Sequence, residues 1–225
     1  MIKSNLMTRT LVAAASCLAM GSVSASLATW TDWTAISATS ATGNMGGIAV
    51  TASTNGGTVI NGPSQTGCGT NYWTGTAYTN GSLSNGPMAC DMVALNSAVS
   101  ITVTFSSAVD NLYMALLSVG QPNYSVTYDF NRSFSIDSEG AGYWGDDVTN
   151  GVLGAGTLGG GSLTMQEFHG VLRFAAPVTS LTFTTAPGEY WHAFTFGTVP
   201  EPGTLALVGA AMLAAGALSR RKRSA

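Results

Sequence analysis

The sequence predicts an all-β domain, an antiparallel β-sandwich of jelly-roll type. Three observations carry that expectation: apolar residues alternate with Thr, Ser or Asp in short runs, Gly and Asn clusters separate the runs, and no helical period occurs between the two ends of the chain. The first candidate strand, 47–52, follows Gly46 and is closed by Thr54-Asn55-Gly56-Gly57. Asn61-Gly62-Pro63, Thr79-Asn80-Gly81-Ser82 and Asn85-Gly86-Pro87 then mark turns, because Gly and Asn accept the positive backbone angles that tight turns need. Ile101, Val103 and Phe105 alternate with Thr102 and Thr104, the period of two of a half-buried strand; Val126, Tyr128 and Phe130 alternate likewise with Thr127 and Asp129. Further candidates are 112–117, 134–136, 163–168, 171–174 and 191–196, and Leu181 and Phe183 alternate with Thr182 and Thr184. The glycine-rich 154–161 is a further turn cluster, within which Gly159-Gly160-Gly161 reads as a flexible connection. About nine or ten short strands emerge, with a β-helix as the architectural rival; no fixed repeat length supports the rival.

Both ends read as targeting segments. Lys3 and Arg9 precede an apolar stretch at 11–20, and Val23-Ser24-Ala25 offers small residues for a signal peptidase, so cleavage is expected after Ala25. At the other end Pro200, Glu201 and Pro202 precede an apolar run at 204–218, which ends in Arg220, Arg221, Lys222 and Arg223. As a helix this run would reach roughly 22 Å, against a hydrocarbon core of about 30 Å, so it spans a membrane only marginally. The four cations orient its C-terminal end to the cytoplasm and leave everything before Glu201 outside. Tripeptide, short apolar helix and basic cluster in this order resemble the PEP-CTERM sorting signal; Gly203 stands where that family often has Ser or Ala. The resemblance implies export, processing by an exosortase-type enzyme near the tripeptide, and delivery to the cell surface or extracellular matrix. A single transmembrane tail anchor that is never cut is the alternative. The chain thus divides into a signal peptide at 1–25, a domain at 26–198 and a sorting signal at 199–225. The middle region, with Trp30-Thr31-Asp32-Trp33 and Glu189-Tyr190-Trp191-His192, also resembles the variable β-sandwich that PEP-CTERM proteins often carry, which implies an architecture and no particular activity.

Without its ends the domain is strongly acidic. Only Arg132 and Arg173 remain against ten acidic residues, a balance that makes nucleic acid and anionic lipid poor partners. Cys17 is discarded with the signal peptide, which leaves Cys68 and Cys90 to pair in an oxidising compartment.

No nucleophile elbow, phosphate loop, zinc helix or CxxC pair occurs, so the domain is expected to be non-catalytic and to need no cofactor. Three weaker constellations remain. Glu167 with His169 and Glu189 with His192 form a metal or acid/base site only if they converge in a cleft; otherwise they are core-edge residues. Asp137, Glu139, Asp146 and Asp147 surround a Gly-rich loop and suit Ca²⁺, or form a solvated acidic face. Tyr72, Trp73, Tyr143 and Trp144 lie in polar, turn-rich surroundings and are the candidate contacts for a glycan such as exopolysaccharide, against the alternative of plain packing. The Thr-x-Thr fragments at 102–104 and 182–184 read as two isolated copies, short of the flat array that ice binding would require. A structural or adhesive role on the cell surface is the leading expectation.

Overall fold

A computed structural model describes residues 25–56, 65–66, 68–145 and 149–199. Among them are fourteen strands: β1 (Thr29–Trp30), β2 (Asp32–Ile36), β3 (Ser40–Met45), β4 (Ile48–Thr54), β5 (Val93–Leu95), β6 (Val99–Val109), β7 (Leu112–Val119), β8 (Val126–Phe130), β9 (Ser135–Glu139), β10 (Thr149–Ala155), β11 (Gly161–Gln166), β12 (Phe168–Phe174), β13 (Val178–Ala186) and β14 (His192–Thr198). One sheet has six strands, in the order β1-β14-β7-β12-β9 with β5 also on β14. The other has eight, in the order β10-β11-β8-β13-β6-β4-β3-β2. The strand pairs β6·β13, β7·β12 and β8·β11 are antiparallel, nest one inside the next along the chain and alternate between the sheets. That is the winding of a jelly roll.

The sequence under-counted the strands. β1, β2, β3 and β5 are short or polar; β3 reads Ser-Ala-Thr-Gly-Asn-Met and buries only Ala41 and Met45. Of the turn cluster expected at 154–161, residues 156–160 do link the two strands, while β10 continues to Ala155 and β11 begins at Gly161.

Two apolar clusters hold the fold. The larger fills the space between the sheets with Trp33, Phe105, Phe130, Phe174, Phe183, Phe194 and their neighbours. Phe183 and Phe194 meet edge to face at 5.4 Å between centroids, the arrangement that ring quadrupoles favour. The smaller lies on the outer face of the six-stranded sheet, where Ala94, Ala115, Ala193 and Val171 present a low surface and Trp73, Ala77, Tyr78 and Leu83 pack down on it. β7 is therefore buried on both faces, which is why its sequence is apolar from Leu112 to Leu117. The covering segment is tied by a disulfide between Cys68 and Cys90, with Cα atoms 4.2 Å apart.

The Thr-x-Thr fragments are not isolated, a correction to the sequence reading. Thr102 pairs with Thr182 across β6 and β13, and their hydroxyls lie 3.1 Å apart. Ser40, Ser53, Thr102 and Thr182 form one cross-strand row, and Thr42, Thr51, Thr104 and Ser180 form the next. The outer face of the eight-stranded sheet is thus a hydroxyl surface, opposite the larger core because side chains alternate along each strand.

Residues 1–24, expected as the signal peptide, and 200–225, with Pro200, Glu201, Pro202, the apolar run 204–218, Arg220, Arg221, Lys222 and Arg223, lie outside the described residues. Ala25 is exposed at the start of the described domain. Among the described residues no helix is long and apolar enough to cross a membrane.

Candidate functional site

Two backbone irregularities lie together at one end of the six-stranded sheet. The chain leaves β11 in one sheet and enters β12 in the other through a single residue, Glu167, whose φ is 50°. Beside it, the β7·β12 register slips: between Phe168↔Val119 and Gly170↔Leu116, one residue of β12 faces two of β7. Ser118 sits at this bulge with φ 52°. An L-residue in this region costs on the order of 1–3 kcal/mol, and such strain gathers at functional sites, as do bulges that re-aim a side chain.

The bulge turns Ser118 towards Glu167, and its hydroxyl donates to Glu167 Oε1 at 2.7 Å. His169, the second residue of β12, completes the arrangement. Its Nδ1 lies 3.3 Å from the Ser118 amide and 3.2 Å from the Tyr78 hydroxyl. An amide can only donate, so Nδ1 is the bare nitrogen and Nε2 carries the proton that faces Glu167 Oε1 at 3.2 Å. Burial, with the charge of Glu167, pushes the Tyr78 phenol well above its ordinary pKa and keeps it a donor. For Glu167 itself partial burial raises the pKa, but hydrogen bonds from His169 and Ser118 and the nearby imidazole outweigh burial and hold it below the ordinary carboxylate value. Glu167 is therefore a fixed anion. Both bonds end on Oε1, so Oε2 remains for a ligand.

Gly142 and Gly145 pair through reciprocal backbone bonds and carry Tyr143 and Trp144 at the tip of a tight turn. The turn lies over His169: a Cβ on Gly142 would sit 2.2 Å from the imidazole Cγ. Only Gly fits there. Trp144 stacks on Tyr72 at 5.3 Å with planes 8° apart, and meets Trp191 at 5.3 Å and 65°. Tyr143 closes on both Tyr72 and Trp144.

The result is a groove of about 510 Å³ whose walls are Tyr72, Trp144, Tyr190 and Trp191 and whose polar groups are Ser118, Glu167 and Gln121, with Pro122 at its margin. Tyr190 is 86% exposed and Trp144 48%. A second hollow of about 490 Å³ shares Gln121 and Tyr190 and continues along Asn96, Ser97, Tyr124 and Gly188. Aromatic walls with a few polar groups suit a ligand that is apolar on its faces and polar at its edges, as sugar rings are.

Of the residues expected to contact a glycan, Tyr72, Tyr143 and Trp144 meet here. Trp73 does not: it is 5% exposed and packs against Tyr78 in the smaller core, because alternation along an extended segment sends neighbours Tyr72 and Trp73 to opposite sides.

The two Glu–His pairs form but do not converge. His169 bonds to Tyr78 on the outer side of the sheet, whereas His192 packs against Tyr128 of the inter-sheet core. His192 Nδ1 is 2.7 Å from Glu189 Oε1, yet the contact is too far off axis for a hydrogen bond, and both ring nitrogens stay unpartnered. Glu189 Oε1 instead accepts from the Gly120 amide at 2.9 Å.

The calcium candidates are also held by the protein. Asp137 accepts from the Ser82 amide and hydroxyl, and Glu139 from the Gly151 amide. Asp146 and Asp147 lie outside the described residues. Among those described, no three His, Cys, Asp or Glu residues gather as a metal site.

Ser118, Gln121, Tyr190 and Trp191 escaped the short list of candidates drawn from the sequence. Tyr190-Trp191 repeats the Tyr-Trp pairing of 72–73 and 143–144, which was a signal for it; Ser118 and Gln121 have none, since a bulge leaves no mark in an apolar strand. Residues 198–223 match the family model of the PEP-CTERM protein-sorting motif. No curated protein and no solved structure matches the chain.

Proposed function

We propose that this PEP-CTERM domain-containing protein, exported and sorted by an exosortase system, is a non-catalytic adhesive module that holds polysaccharide at the cell surface or in the extracellular matrix. The observation that carries this reading is the aromatic groove: Trp30, Trp33, Trp73 and Tyr78 are core, whereas Tyr72, Tyr143, Trp144, Tyr190 and Trp191 gather at one rim. Two adjoining hollows that share Tyr190 give room for successive rings of a polymer. The hydroxyl face of the larger sheet adds hydrogen-bonding surface for a hydrated matrix. Opposite placement of the two Glu–His pairs supports a binding role over a hydrolytic one.

The test is calorimetric titration of the protein with neutral hexasaccharides of glucose, xylose and N-acetylglucosamine, repeated on Trp144→Ala. Loss of one stacking ring costs about 1 kcal/mol, so binding should weaken roughly fivefold to tenfold. Absence of binding to every polymer, native exopolysaccharide included, refutes the reading.

A further inference from the structure

We propose that the groove selects an amino sugar, a polysaccharide unit bearing a protonated primary amine, over neutral and acidic sugars. The inference rests on the polysaccharide reading and names its ligand class. Its basis is charge complementarity at one point: Glu167 lines the groove together with Tyr72, Trp144, Trp191 and Tyr190, and its Oε2 has no protein donor among the described residues. A carboxylate ringed by aromatic side chains is the arrangement that suits an ammonium group, which takes one charge-assisted hydrogen bond and is attracted to the electron-rich faces of the rings.

The protein spends a good deal of structure on keeping that carboxylate fixed. Ser118 and Glu167 are both in the left-handed region, and His169, fully buried, is aimed at Glu167 by Tyr78 and the Ser118 amide. A neutral ring offers this carboxylate only hydroxyl donors, whereas an ammonium group adds a full opposite charge to the hydrogen bond. Among the described residues no Lys or Arg offsets it: Arg132 bonds the Ser180 carbonyl, Arg173 reaches Asn111 over the Tyr113 ring, and neither lines the groove. Ten acidic residues against two basic ones in 26–198 extend the same preference to long range and repel uronic acids.

The experiment compares hexamers of glucosamine, N-acetylglucosamine and galacturonic acid by calorimetry in mildly acidic buffer, where the amine is charged, on the wild-type chain and on Glu167→Gln. Acetylation removes the charge and leaves the ring. The glucosamine hexamer should bind at least tenfold more tightly than its acetylated counterpart, Glu167→Gln should abolish that difference, and added salt should weaken the amine-bearing hexamer selectively. If Glu167→Gln fails to fold, the salt titration of the wild type decides, together with Tyr190→Ala, at an exposed side chain, which should weaken glucosamine binding several-fold. Equal affinity for the first two hexamers overturns the selectivity and leaves the polysaccharide reading standing. Failure of all three, with the neutral polymers also unbound, removes both.

Discussion

Replacing Ser118 by Ala and, separately, by Gly divides its contribution into a hydrogen bond and a backbone cost. Both variants lose the 2.7 Å bond to Glu167. A hydrogen bond to a charged group contributes about 1.5–3 kcal/mol, and the partial exposure of Glu167, 13% for its side chain, places this one near the lower end. At φ 52° a Cβ costs about 1–2 kcal/mol that glycine does not pay. Glycine gives back about 0.4–1 kcal/mol through its greater freedom in the unfolded chain. The expected losses are then about 1.5 kcal/mol for Ser118→Ala and about 0.5–1 kcal/mol for Ser118→Gly. Urea unfolding followed by tryptophan fluorescence measures both, provided the dependence on urea is unchanged. A glycine variant less stable than the alanine one refutes stored strain at the bulge. An alanine variant as stable as the wild type refutes the bond to Glu167.

Burial, then the charge of Asp32, raise Asp91 to about 6 in the fold against the backbone amides of Met88 and Trp33, while its unfolded value is about 3.9. A raised acid binds its proton more tightly in the folded state, so its stabilisation is complete below about pH 4 and lost as pH rises through about 6. Asp91→Asn should therefore stabilise the protein at neutral pH by about 1–2 kcal/mol, after allowance for solvent screening, and flatten the profile of unfolding free energy between these pH values; an unchanged profile rules out Asp91 as its source. Gly142→Ala pushes a methyl into His169 and should lift the Tyr143-Trp144 tip, so that acrylamide quenches Trp144 more strongly while the strand signal in circular dichroism persists. Unaltered quenching would show that the turn does not rest on the imidazole. Among the described residues the buried Tyr128 hydroxyl, beside His192 and Glu189, has no hydrogen-bond partner, so Tyr128→Phe should raise stability by about 1 kcal/mol; a fall in the thermal midpoint would refute an unsatisfied hydroxyl.

Alternation made β6, β8 and β13 legible, since each puts apolar side chains towards one core and hydroxyls towards solvent. β7 was found as a candidate at 112–117 because double burial makes that stretch apolar. β1 to β3 were not, because a strand held mainly by cross-strand bonds needs few apolar residues, and Gly43, whose Cβ would strike the Asp32 carbonyl, serves close strand approach. In the site, the Tyr-Trp dipeptides were visible, yet which ring faces outward was not, and Trp73 went to the core.

The sequence by itself determined the address and the class of domain: the sorting motif at 198–223, the two cysteines left to pair, the acidity of 26–198 and the two-residue period of an all-β fold are local patterns that need no partner to be read. Only the tertiary structure decided the site. Glu167, Ser118 and Tyr78 are far apart in the chain and meet because β12 pairs with β7 under the covering segment, and Thr102 meets Thr182 because β6 pairs with β13. Such juxtapositions depend on the register between distant strands, and register is set by the burial of whole faces, which no single residue or short spacing encodes.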